Sequence, residues 1–349
     1  MLNIKNYLKF LVCFLIVIFV SGCELNSGKY QIIYNGDQKK EQIKQNENKE
    51  NYTIAIVPKV SGIPYFNAVE EGAFEAGEDL NVNVLFTGPP IADWKQQRNI
   101  IEDFIQRDVD LIAVSANDPD RLGPVLQKAR EKGIKVISWD SDTDTKYREL
   151  FINMVDPENL GRHLMDNLAS KMGEKGEYAI MTGSHVAANL STWMNYIIKQ
   201  QEEEYPDMKL VEVVETEDNP QKSYTGAEKL LKTYPNLKGI LGSSSVGPPA
   251  AAQAVKDAGK AGMVTVTGLS TPNLMRSYLK DGSAQMITLW SPKKLGYLTV
   301  SLAKKLLSGE NLKDGQHIGR VGNIKIKGDT VIMGLPIDFT RENIDQYDF

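Results

Sequence analysis

The sequence predicts an α/β fold of two doubly wound parallel-sheet lobes joined by a hinge. Three observations lead there. From Tyr52 onward, short apolar runs alternate with segments of helical period. The runs are apolar on both faces, as in parallel strands sheathed by helices. They also come as two successive series of five, in a chain of 349 residues that exceeds one ordinary core.

The chain opens on a processing segment at residues 1–22. Lys5 and Lys9 give it a positive start, and Phe10 to Val20 is an unbroken run of 11 apolar residues, too few to span a bilayer. The run ends in Val20-Ser21-Gly22-Cys23, which resembles the lipobox of bacterial lipoproteins. That resemblance implies cleavage before Cys23 and acylation of its sulfur, a palmitate-type anchor; a plain secretory signal is the alternative. Loss of the two lysines takes the formal charge from −5 to −7. Cys13 leaves with the signal, so no thiol pair remains for a disulfide. Residues 23–50 form the lipidated cysteine and a disordered tether, because 37–50 is almost wholly polar and cannot bury a core. Such a tether holds the domain roughly 30 Å from its anchor.

The first series of strands is expected at residues 53–58, 82–86, 111–115, 135–139 and 151–154. The second lies at 178–181, 210–214, 239–241, 264–266 and 286–289. Between them run helical stripes such as Val69, Ala73, Ala76, Leu80 and Trp94, Ile101, Phe104, Ile105. Short strands near Ile324 and Val331 supplement the C-terminal end. The lobes are read as residues 52–154 plus 290–328, and 155–289 plus 329–349. The helix bearing Leu295, Leu298, Leu302 and Leu306 thus returns to the first lobe.

Composition excludes much. A net charge of −5 and a pI near 5.5 argue against a nucleic-acid partner. Three histidines and two cysteines, all scattered, give no structural zinc site, and no metal or cofactor is expected. No phosphate-cradling glycine loop and no dinucleotide fingerprint follows a strand, and there is no His-Glu-x2-His. Ser184-His185 is not a triad without a base partner and an oxyanion hole. The chain is therefore expected not to be an enzyme. Glu202-Glu203-Glu204 reads as a solvated helix end.

In open parallel sheets, ligands bind beyond the carboxyl ends of the strands. Those ends carry Lys59, Asn117-Asp118, Asp140-Ser141-Asp142, Thr182-Gly183-Ser184, Ser243-Ser244-Ser245 and Ser270. Helix capping explains Ser291-Pro292 and much of the rest; it does not explain a lysine or the acidic cluster after Trp139. A polar cleft between the lobes follows, suited to a sugar-like polyol. Lys59, Asp140 and Asn189 supply donors and acceptors for hydroxyls, with Asp118 and His185 close enough to assist. Tyr65, Phe66, Trp139, Trp193 and Trp290 lie at strand ends or helix starts, and two or three of the five are expected to wall the cleft.

Ala55-Ile56-Val57-Pro58-Lys59 and Trp139-Asp140-Ser141-Asp142 resemble the sugar-binding periplasmic proteins of ABC importers, which implies the type I periplasmic-binding-protein fold. Three more segments, 249–254, 269–276 and 343–349, are similar to the autoinducer-2 receptors of the LsrB type. The resemblance runs from about Thr53 to Phe349. It implies a furanose-like derivative of dihydroxypentanedione as ligand, held at six positions. Lys59, Asp140, Pro249 and Ala251 match four of them, the last two through backbone groups. At the other two the family has Asp-Gln where this chain has Asn189-Leu190, and a family Trp-Asp is Trp290-Ser291 here. Autoinducer-2 stands first on this reading, with a pentose or deoxyhexose as the alternative. The resemblance also implies quorum-signal or sugar uptake through an ABC transporter permease. A chemoreceptor or sensor kinase is the other partner that could read the closed lobes, from the extracytoplasmic face of the membrane.

Overall fold

The computed structural model describes residues 51–349; the signal segment, Cys23 and the whole tether lie outside the described residues. The described residues form one compact unit.

Its first sheet is built on β1 (Thr53–Val57), flanked by β2 (Asn83–Phe86) and β3 (Leu111–Val114), then β4 (Lys135–Trp139) and β5 (Leu150–Asn153), all parallel. Strand periodicity divides the side chains cleanly. Ile54 and Ile56 face a core shared with α1 (Pro64–Leu80) and α9 (Pro292–Leu307). Ala55 and Val57 face the opposite core, formed with α2 (Trp94–Gln106) and α3 (Pro119–Glu131). Helix α9 packs along α1 beside the first sheet. It crosses α1 at Gly72 and Gly296, where a Cβ would run into the backbone of Lys293 or Val69.

The second sheet has the order β7 (Met208–Glu215), β6 (Gly176–Thr182), β8 (Leu237–Gly242), β9 (Thr265–Gly268), again parallel. Its helices are α4 (Pro157–Met172), α5 (Ala188–Glu204), α6 (Pro220–Thr233), α7 (Gly247–Asp257) and α8 (Pro272–Asp281). The expected fifth strand, β10 (Ile287–Leu289), is not a full ladder partner. It meets β9's end by the single bridge Leu269–Thr288 and pairs antiparallel with β15 (Ile337–Phe339).

Three short segments carry the chain between sheets, at 154–156, 290–291 and 333–336. The third corrects the boundary set at 328/329. The hairpin of β13 (Lys325–Lys327) and β14 (Thr330–Ile332) belongs to the first sheet, because β14 runs parallel beside β5. A three-residue strand carries too little periodicity to reveal which edge it completes. A smaller hairpin, β11 (His317–Ile318) with β12 (Gly322–Asn323), precedes it.

Candidate functional site

The carboxyl ends of both sheets meet at a cavity lined from each side. Lys59, Ile63, Tyr65, Phe66 and Asp140 face it from the first lobe; Asn189, Leu190, Trp193, Asp218 and Ser243 to Ser245 face it from the second, with Leu269, Leu289 and Trp290 closing the hinge side. Its free space is only about 30 Å³, because the lobes are drawn together and Lys59 lies across the gap.

Lys59 follows β1 directly, and buried amides set its backbone. Gln97 on α2 donates to the carbonyls of Pro58 and Ser115 at 3.0 and 2.7 Å, and Asn117 Nδ2 donates to the Lys59 carbonyl at 2.8 Å. The ammonium, on a residue only 5% exposed, sits 3.7 Å from Asp140 Oδ2 and 3.9 Å from Asp218 Oδ2. The first pair lies within one lobe and the second spans the cleft. One cation among two buried carboxylates leaves a site that calls for hydrogen-bond donors.

Asp140 ends β4 in the left-handed region, at φ +59°. This is a conformation that aspartate tolerates better than most residues and that clusters at functional sites. The turn aims the carboxylate at Ser115 Oγ, which donates at 2.7 Å, and at the Tyr65 hydroxyl, which donates at 3.1 Å. Tyr65 in turn accepts from Trp290 Nε1 at 3.1 Å. Burial, reinforced by the neighbouring carboxylate, pushes the Tyr65 phenol well above its usual range, so it stays a donor.

The aromatic wall exceeds the expected two or three. Tyr65, Phe66, Trp193 and Trp290 all line the cavity, packed edge to face at 5.0 Å for Tyr65–Phe66 and 5.8 Å for Trp193–Trp290. Trp193 belongs to the core and to the cavity wall at once. Trp139 does not reach the cavity: it is wholly buried behind Phe66 and donates to the Ala113 carbonyl at 3.2 Å.

Four other expected residues stand elsewhere. Asp118 is the N-cap of α3, accepting from the Asp120 and Arg121 amides at 3.1 and 3.0 Å, which uses its carboxylate locally. His185 faces solvent beside Glu215, and its side chain is 45% exposed. Pro249 and Ala251 lie within α7 and do not line the cavity. Ala251 is the fifth residue of that helix, beyond the first turn whose N–H groups lack partners, so its amide is committed to the helix. The neighbouring Ser243 to Ser245 take the place at the cavity, and the buried Ser244 hydroxyl has no partner among the described residues.

Asn189 and Leu190, at the start of α5, do face the cavity. Asn189 Oδ1 accepts from the Leu190 amide at 2.9 Å, leaving its NH₂ for other partners. Asp218 was missed by sequence reasoning. It and Glu217 take consecutive left-handed conformations at φ +51° and +53°, and only the position before the Asn219-Pro220 helix start hinted at a strand-end acid. Its carboxylate packs on Gly183, where no Cβ could fit.

Two sheets of parallel strands whose polar ends grip a shared aromatic-walled cavity define a two-lobed receptor for a small solute. The periplasmic binding protein domain matches residues 54–311, and the chain belongs to that family. The D-ribose/D-allose-binding protein of Pseudomonas aeruginosa is 26% identical, across 77% of this chain and 87% of that protein. An ABC transporter solute-binding protein from Clostridium phytofermentas with bound L-rhamnose is 30% identical, with a TM-score of 0.80 and coverage of 86% and 98%. LsrB from Clostridium saccharobutylicum in complex with AI-2 reaches the same TM-score of 0.80 at 24% identity, covering 85% of this chain and 100% of that one, a likeness of fold. The chain is thus a binding protein of the periplasmic type, in a family whose characterised relatives are solute-binding proteins rather than enzymes.

Proposed function

We propose that the protein captures a small neutral sugar, a 6-deoxyhexose foremost, between its lobes and delivers it to an ABC importer. The observation that carries this reading is the pairing of a donor-seeking polar seat (Asp140, Asp218, Lys59) with an apolar flank made by Leu190, Leu289 and Trp193 in one cavity. Hydroxyls satisfy the carboxylates, and a ring methyl group suits the flank, where a glutamine at Leu190 would demand hydrogen bonds. The relative with bound L-rhamnose supports the same class.

Autoinducer-2, placed first from the sequence, is the second reading. Lys59 and Asp140 at the cavity favour it, whereas Leu190, Pro249 and Ala251 do not. The ligand bridges the lobes and stabilises the closed form by its differential affinity for that form. The lobes are residues 52–154 with 290–332, and 155–289 with the C-terminus. Cys23 carries the lipid, which holds the receptor at the outer face of the membrane.

Titration calorimetry with L-rhamnose, D-ribose, D-arabinose and autoinducer-2 tests the ligand. Tightest binding of L-rhamnose supports the first reading and tightest binding of autoinducer-2 the second; silence with all four rejects both. Leu190→Gln should weaken the deoxyhexose and favour the tetraol. Cys23→Ser should release the protein from membranes. Uptake of labelled ligand that stops on deletion marks import, whereas lost response with intact uptake marks a chemoreceptor or kinase partner.

A further inference from the structure

A second, larger cavity of about 360 Å³ adjoins the first, on the side of β5. It too is built from both lobes: Asp142, Thr143, Phe151 and Asn153 from one, Pro157 and the first turns of α5 from the other. Asn189 and Trp193 line both cavities, so the two adjoin across that pair. Its volume falls in the range of about 300–1,000 Å³ typical of small-molecule sites.

The polar groups here divide into committed and free. Asp142 accepts two bonds from Arg148 at 2.8 Å and another from Ser138, and Thr143 donates to the Pro119 carbonyl at 3.1 Å. Asn153 is different. It is 7% exposed, it lines the cavity, and no hydrogen bond reaches its side-chain amide among the described residues. Its amide opens onto the cavity, where water or a ligand can meet it. With the Asn189 NH₂, it offers neutral donors and an acceptor between Phe151 and Trp193, which both line the cavity. The exposed carboxylates of Asp120 and Asp144 also line it, so the cavity suits a neutral hydroxylated ring rather than an anion.

We infer that the second cavity is a subsite for a second ring, so that the receptor takes a neutral disaccharide or glycoside whose first sugar fills the Lys59–Asp140 cavity. This rests on the sugar-binding reading proposed above and extends it. The ring in the first cavity is gripped by charged groups; the second is read by Asn153 and stacked on Trp193.

Calorimetry on the whole folded protein with L-rhamnose, its methyl glycoside and a rhamnosyl-rhamnose disaccharide tests it. The disaccharide should bind at least as tightly as the monosaccharide. Asn153→Leu should weaken it by about tenfold while leaving L-rhamnose unchanged. Thr192→Trp, which fills the cavity from a half-buried helix position, should do the same without disturbing the strand. Binding of L-rhamnose without the disaccharide, or equal losses for both ligands in both variants, overturns the subsite and spares the sugar reading. Failure of every rhamnose ligand overturns both.

Discussion

Replacing Lys59 with methionine keeps most of the side-chain volume and removes the buried ammonium. Two arms are lost, at 3.7 Å to Asp140 and 3.9 Å to Asp218. Unit charges about 4 Å apart attract by about 4 kcal/mol at an effective dielectric of about 20. The Asp140 arm lies within one lobe and persists when the cleft opens. The Asp218 arm exists only when the lobes are together. Without the cation, the closed form also holds two facing carboxylates, which repel by about 2 kcal/mol at about 7 Å on the same scale. Part of this is recovered because the ammonium no longer has to be desolvated, and breaking a buried pair costs about 3–5 kcal/mol overall. If about 3 kcal/mol falls on closure, affinity for the proposed sugar drops about a hundredfold. Calorimetry reads the affinity, and small-angle scattering reads the opening of the free protein. Affinity within threefold of wild type, with unchanged scattering, would refute the electrostatic account of the closed cleft.

Three further outcomes are expected. Asp140→Asn tolerates the same backbone conformation but loses its charge, so retained ligand should fall by about tenfold to a hundredfold, read by mass spectrometry of the denatured protein. Gly183→Ala should displace the Asp218 carboxylate and weaken ligand while circular dichroism stays native; undiminished affinity would remove Asp218 from the site. The third concerns His163 on α4, whose Nε2 lies 2.9 Å from Asp338 on β15. The hydrogen bond to Asp338 raises the His163 pKa above 6.5, while burial of Asp338 is outweighed by its bonds from His163 and Thr288, so its pKa falls below 3.8. The histidine's contribution is full below pH 6.5 and fades as pH rises through its raised folded value; the aspartate's is full above pH 3.8 and fades on acidification. Melting temperatures of wild type and His163→Gln should therefore differ most between those limits and converge in alkali. A constant difference up to pH 9 would refute the assignment.

Much of the fold was legible because β1, β3 and β4 are apolar on both faces, a pattern that few other arrangements produce. Lys59 and Asp140 were legible for a related reason: no cap or turn explains a buried lysine or an acid beside a buried tryptophan. What failed was local. Asp118 looked like a ligand group because capping and binding draw on the same residue types at the same strand ends. Pro249 and Ala251 came from a resemblance, and the start of α7 at Gly247 puts them a turn too deep. Asp218 and Asn153 owe their positions to backbone twists and to the meeting of the lobes, which no linear pattern records.

The first lobe is discontinuous: α9 and the β13–β14 hairpin, which complete its packing and its sheet edge, come from the last fifth of the chain. A ribosome therefore releases residues 52–154 long before the pieces that cover them, while the second lobe lacks only the C-terminal segment 337–349. The nascent chain spends that interval with an unshielded helix face and an open strand edge, so folding begun only after the last residue emerges is the route its connectivity favours.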